Sequence, residues 1–138
     1  MVLAAMPAQA RTPKPPFMEQ AQRCDGGHTC PYSVELYKAD DAFRTASNVA
    51  LKKAGLKRQR WVADGMASPL KSIEIDGKAR LLSRVCEPHN CVHYYTILYD
   101  RLQRCMAGVY MGSDANGGVH SVHFGAPSIA EADLLLKN

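Results

Sequence analysis

Between residues 40 and 54 the apolar positions recur at helical spacing, with Ala42, Phe43, Ala46, Val49 and Ala50 falling on one face. Asp40 or Asp41 supplies an N-cap and Gly55 a C′ stop, so a helix is expected to run to about Ala54 and to pack its stripe on a sheet. From Trp61 onward the pattern becomes that of strands, expected near residues 60–63, 71–75, 79–85, 92–99, 104–111 and 119–124. Turn signals separate them: Asp64-Gly65, Asp76-Gly77, the segment 86–91, Asp100-Arg101 and the run 113–118. Such short links between sequential strands imply an antiparallel meander. Residues 32–38 read equally well as a short strand or as the lead-in to a helix. Pro127-Ser128 opens a last short helix, with Ser128 and Glu131 at capping-box spacing. The expected class is therefore α+β: an antiparallel meander flanked by an N-terminal helix and a short C-terminal helix, the helices on one sheet face, with a protruding disulfide-closed loop.

A chain of 138 residues suits one domain with a modest core. Its 46% hydrophobic and 22% charged residues place it with soluble globular chains. No apolar run is long enough to span a bilayer, so no membrane span is expected. The net charge of +4 is not gathered into a block. The richest basic stretch, Lys52, Lys53, Lys57, Arg58 and Arg60, reads as solvated cations at a helix C-terminus, and no nucleic-acid partner is expected. Residues 1–10 resemble the back half of a secretory signal, with Ala8-Gln9-Ala10 as a small-x-small cleavage pattern and the charged leading region missing. The expectation is a clipped signal over 1–10, a Pro-rich N-terminal extension over 11–23 that is stiff and extended over 11–16, and a single domain over 24–138, placed in the periplasm.

Five cysteines fit that compartment. Cys24/Cys30 and Cys86/Cys91 are close pairs that read as disulfides, and Cys105 is left as a buried apolar thiol in the strand-like run 104–110. Closing the Cys86–Cys91 ring constrains the unfolded chain by about 2 kcal/mol on the loop-entropy estimate. Nothing in the chain marks an enzyme: no Gly-rich phosphate loop follows a strand, no Gly-x-Ser-x-Gly elbow occurs, and the carboxylate pairs Glu74/Asp76, Glu131/Asp133 and Asp40/Asp41 are explained by turns and caps. Metal binding is a rival reading, because Cys86, His89, Cys91 and His93 lie within eight residues and His120 and His123 form an H-x-x-H pair. Oxidation removes both thiolates, His93 is expected in a row with Tyr95 and Ile97, and His120 and His123 point to opposite strand faces. No metal or other cofactor is expected. Trp61 reads as core.

His89 then needs an explanation. It stands beside Pro88 in a cross-linked loop, Cys86-Glu87-Pro88-His89-Asn90-Cys91, between strand-like flanks. A tip so constrained loses little entropy on entering a cleft. An imidazole donates from both nitrogens once charged, and its natural partners are carboxylates. A carboxylate pair at the floor of a cleft is the arrangement of a glycoside hydrolase.

At these residues the chain resembles the inhibitor of vertebrate lysozyme (Ivy) family, matching its Cys-x-Pro-His-x-Cys signature from Cys86 to Cys91. The likeness extends over roughly residues 32–125, through Tyr37-Lys38-Ala39-Asp40-Asp41-Ala42-Phe43, Arg60-Trp61-Val62 with Gly65, and Met106-Ala107-Gly108-Val109-Tyr110. It implies a periplasmic protein inhibitor whose loop enters the cleft of a c-type lysozyme or a lytic transglycosylase. His89 would hydrogen-bond the catalytic carboxylates, Glu87 and Asn90 would line the mouth, and Pro88 would stiffen the approach. The segment Cys24-Asp25-Gly26-Gly27-His28-Thr29-Cys30 is extra to the family pattern. A chain at +4 also gains no long-range steering toward cationic lysozymes. A transglycosylase inhibitor, a non-inhibitory peptidoglycan-binding module, and a redox or metal protein using Cys86, His89, Cys91 and Cys105 remain alternatives. Monomer and homodimer both stay open.

Overall fold

The computed structural model describes residues 16–56, 61–113 and 116–138. The signal expected over 1–10, the start of the Pro-rich extension and the basic residues Lys57, Arg58 and Arg60 lie outside the described residues. So does the side chain of Trp61.

Six described strands form one antiparallel sheet: β1 (Met66–Ala67), β2 (Lys71–Ile75), β3 (Lys78–Glu87), β4 (Asn90–Asp100), β5 (Cys105–Ser113) and β6 (Val119–Phe124). The order is β1-β3-β4-β5-β6, with β2 pairing the same edge of β3 further along. The meander follows from its turns. Asp76 and Gly77 both have positive φ, 51° and 75°, as a two-residue hairpin between right-twisted strands requires. Register then stacks the apolar positions in rows. Leu81 pairs with Tyr99, Val85 with Tyr95, and Tyr95 with Tyr110.

Alternation along the strands feeds two cores. On one face Leu81, Val85, Tyr95, Ile97 and Tyr99 pack with α2 (Ser33–Ala39) and α3 (Asp41–Lys53) through Leu36, Phe43, Ala46, Ala50 and Leu51. Phe43 meets Tyr99 edge to face, with ring centroids 5.0 Å apart. Asp40 caps α3 by accepting the Phe43 amide at 2.8 Å, and Gly55 follows the helix at a φ of 72°. On the other face Leu82, Leu98 and Val109 lie under Leu135 of α5 (Ile129–Lys137). Helices therefore cover both faces, which corrects the one-face expectation. Leu82 and Leu98 are apolar on the second face too, and only a second layer can bury them.

A charged cluster docks α5. Arg80 reaches the Asp100 carboxylate and the Glu131 carboxylate, each at 3.3 Å, and all three side chains are largely buried. Burial pushes the Glu131 carboxyl up, but its hydrogen bonds with Ser128 and the Arg80 guanidinium outweigh this and hold it below the usual carboxylate range. The capping box foreseen at Ser128 and Glu131 is present.

Four local expectations are corrected. Within the strand expected at 60–63, the described residues 61–63 belong instead to a short helix, α4 (Trp61–Asp64), because four residues are too few to show a period and Val62 and Ala63 find their burial as a helical turn. The Pro-rich extension becomes helical from Phe17 to Gln22 (α1), where Pro16 precedes the first turn with helix-compatible φ and Met18 and Ala21 share a buried face. Val49 sits at the margin of the α3 stripe and is 45% exposed. Cys105 is exposed, because it is the first residue of β5, opposite Asp100 and beside the exposed turn 101–104. The ambiguous stretch 32–38 resolves as α2, whose Tyr32 amide donates to Glu35 at 2.9 Å.

Candidate functional site

The β3–β4 hairpin ends in the Cys86–Cys91 disulfide, whose Cα atoms are 5.0 Å apart. Its ladder runs regularly to the pair Cys86 with Tyr94, then jumps to Glu87 with Asn90. Cys91, Val92 and His93 are therefore looped out, with no ladder partner on β3 or β5. The disulfide closes the excursion that this register jump creates.

Pro88 and His89 form the two-residue turn at the tip. Proline fixes a φ near −65° at the first position, and His89 takes a φ of 61° at the second, the signs of a type II turn. Glycine or asparagine ordinarily fills that second position, and a histidine there costs about 1 kcal/mol of backbone strain. The turn thus holds an imidazole where a smaller residue folds more easily. Its side chain is exposed and engages none of the described residues.

The rest of the ring is self-bonded. Asn90 donates to a Glu87 carboxylate oxygen at 3.1 Å, and His93 Nδ1 lies 3.5 Å from that same oxygen. His93 Nε2 in turn stands 3.3 Å from the Ser113 hydroxyl. Glu87 is half-buried, whereas Pro88, His89, Asn90 and Cys91 are exposed and Cys86 is buried in the sheet. Two exposed apolar side chains border the ring: Met66, paired with Cys86 across β1, is 58% exposed, and Val92 is 59% exposed. Arg84 stacks over Tyr94, its guanidinium carbon 4.2 Å from the ring centroid. The tip is a projection and lines neither of the two clefts of about 540 Å³ elsewhere on the surface.

The structure brings Cys86, Glu87, Pro88, His89, Asn90 and Cys91 together at one point. Cys24 and Cys30 are also bonded, with Cα atoms 5.7 Å apart, but at the outer edge of β2. The expected place of His93 in the row of Tyr95 and Ile97 gives way to contacts with Glu87 and Ser113. His120 lies against the Tyr110 ring at 6.2 Å, and His123 is a separate exposed residue of β6. Among the described residues no three His, Cys, Asp or Glu side chains converge as metal ligands. Sequence reasoning missed Met66, Val92, the Arg84–Tyr94 stack and the His93 contacts. Only the last had any signal, in its nearness to the loop.

No protein-family model matches the chain, and no curated protein matches it.

Proposed function

We propose that this protein is a periplasmic inhibitor of a peptidoglycan-cleaving glycosidase, a c-type lysozyme in the first instance, acting by loop insertion and carrying no catalysis of its own. The observation that carries the reading is His89, exposed at a φ of 61° on the tip of a disulfide-closed hairpin. Inserted into a cleft, its imidazole would share protons with the acid and the nucleophile carboxylates and displace the sugar that belongs there. Pro88 supplies the stiffness.

Size adds a requirement. A stable interface takes about 800 Å² from each partner, more than a six-residue ring presents. Met66 and Val92 would supply apolar contact beside the polar tip, and the Arg84–Tyr94 pair belongs to residue types enriched at binding hot spots.

The net charge of +4 favours a second target. A cationic lysozyme and this chain repel at long range, whereas a neutral or acidic lytic transglycosylase would not. The test is turbidimetric lysis of cell walls by a c-type lysozyme, with and without the purified protein, followed by the same assay with a lytic transglycosylase. Stoichiometric inhibition of the first is expected. Inhibition of only the second moves the target but keeps the mechanism. Inhibition of neither, with co-sedimentation on peptidoglycan, replaces it with a glycan-binding module.

A further inference from the structure

The sheet ladder breaks register inside the ring. Beyond the Cys86–Tyr94 pair the next pair is Glu87 with Asn90, so Cys91, Val92 and His93 contribute no paired backbone to hold the tip at an angle. The disulfide fixes the width of the ring but leaves its tilt against the sheet to other contacts. One side-chain path makes that connection. It starts at the Glu87 carboxylate inside the ring, which also receives Asn90 at 3.1 Å, crosses to His93 Nδ1 at 3.5 Å, and leaves from Nε2 to the Ser113 hydroxyl at 3.3 Å. Ser113 ends β5 and is paired with Val119 of β6, so the path is grounded in the body of the sheet.

We infer that His93 is a positioning residue, a strut that replaces the missing ladder and sets the direction in which His89 leaves the sheet. The imidazole carries two polar atoms on opposite sides of a rigid ring, and these reach Glu87 and Ser113. Glu87 is then an internal anchor, turned toward its own hairpin. The consequence for inhibition rests on the function proposed above, but the strut is a property of the free protein.

The two are separable by experiment. Backbone 15N relaxation of the full chain reads the order of the 87, 89, 90 and 91 amides with no partner present. Order parameters near about 0.85 are expected in the native protein. In His93→Ala they drop at residues 89 and 90, and in His93→Asn, which keeps a donor toward Glu87 but not the reach to Ser113, they stay below the native values. Ser113→Ala, distant from the ring, gives a smaller drop and carries the test should His93→Ala fold poorly. Affinity for the inhibited glycosidase falls about threefold to tenfold with the loss of order. Native order in both alanine variants overturns the strut. Loss of order in a protein that inhibits no glycosidase keeps the strut and removes the functional reading.

Discussion

The ring closed by Cys24 and Cys30 and the ring closed by Cys86 and Cys91 differ by one residue in sequence separation, 6 against 5, yet they behave in opposite ways. The first is turned inward. Cys30 is buried, the Cys24 carbonyl accepts the Ser72 amide at 2.8 Å, the Leu70 amide donates to Pro31 at 2.8 Å, and Asp25 bridges to Lys71. The ring lies along the open edge of β2 and covers a row of groups that would otherwise invite another strand. The second is turned outward at a hairpin end where the ladder loses its regular register. Ring closure by itself assigns no role. What decides is whether the backbone of the ring is hydrogen-bonded into its own sheet or left at a tip for a partner.

The largest expected effect tests the outward ring. His89→Ala should weaken inhibition by about 30-fold or more, the scale of a hot-spot residue, and leave the melting temperature unchanged. Next come the disulfides themselves. Opening either ring by paired Cys→Ser substitution should cost about 2 kcal/mol of stability, because two short rings restrict the unfolded chain almost equally. The functional cost should differ sharply: about tenfold or more in affinity for Cys86→Ser with Cys91→Ser, and about twofold or less for Cys24→Ser with Cys30→Ser. Equal loss of inhibition from the two would dissolve the distinction.

A smaller effect separates both rings from acid sensitivity. Disulfide cysteines do not titrate, whereas Glu131, held by Ser128 and Arg80, has its folded-state value below the ordinary 4.5. A carboxyl lowered in the folded state stabilises above its unfolded value and loses that contribution as pH falls through the folded one. Glu131→Gln should therefore cost about 1 kcal/mol at pH 7 and nothing in strong acid, while ring opening costs the same at both. Thermal melts of the variants at the two pH values give the comparison.

Much of this contrast was legible in the residues. β2 and β6 were placed to the residue, since alternation and flanking turns mark both ends, and the caps at Asp40 and Ser128 fixed two helix starts. The outward ring announced itself because cysteines, proline and histidine are all rare and together constrain one turn. The inward ring gave its bond but not its place, since docking on β2 depends on residues 71 and 72 far along the chain. Distance in sequence also hid the strut, because Glu87, His93 and Ser113 meet only after β4 skips three residues of register. Helices α1 and α4 were too short for periodicity to speak, and tertiary burial decided them. Cys105 misled because an apolar run implies burial of the run and says little about its first member.

The finest test exchanges the logic of the two rings at one backbone angle. Gly26 in the inward ring and His89 in the outward ring both have positive φ, 90° and 61°. The inward ring uses the residue that adopts this conformation freely, and the outward ring keeps one that does not. Gly26→Ala should therefore destabilise by about 1 kcal/mol through backbone strain at its positive φ, since the new Cβ meets Lys71 Cβ at an ordinary contact distance of 3.4 Å. His89→Gly should do the reverse. It relieves strain of about 1 kcal/mol, returns part of that through the greater freedom of glycine in the unfolded chain, and leaves a net gain of about 0.5 kcal/mol. That variant should melt higher than the native protein and inhibit as poorly as His89→Ala. A His89→Gly protein no more stable than the native one would mean that the turn accommodates histidine without strain, and the tip would lose its sign of selection against stability.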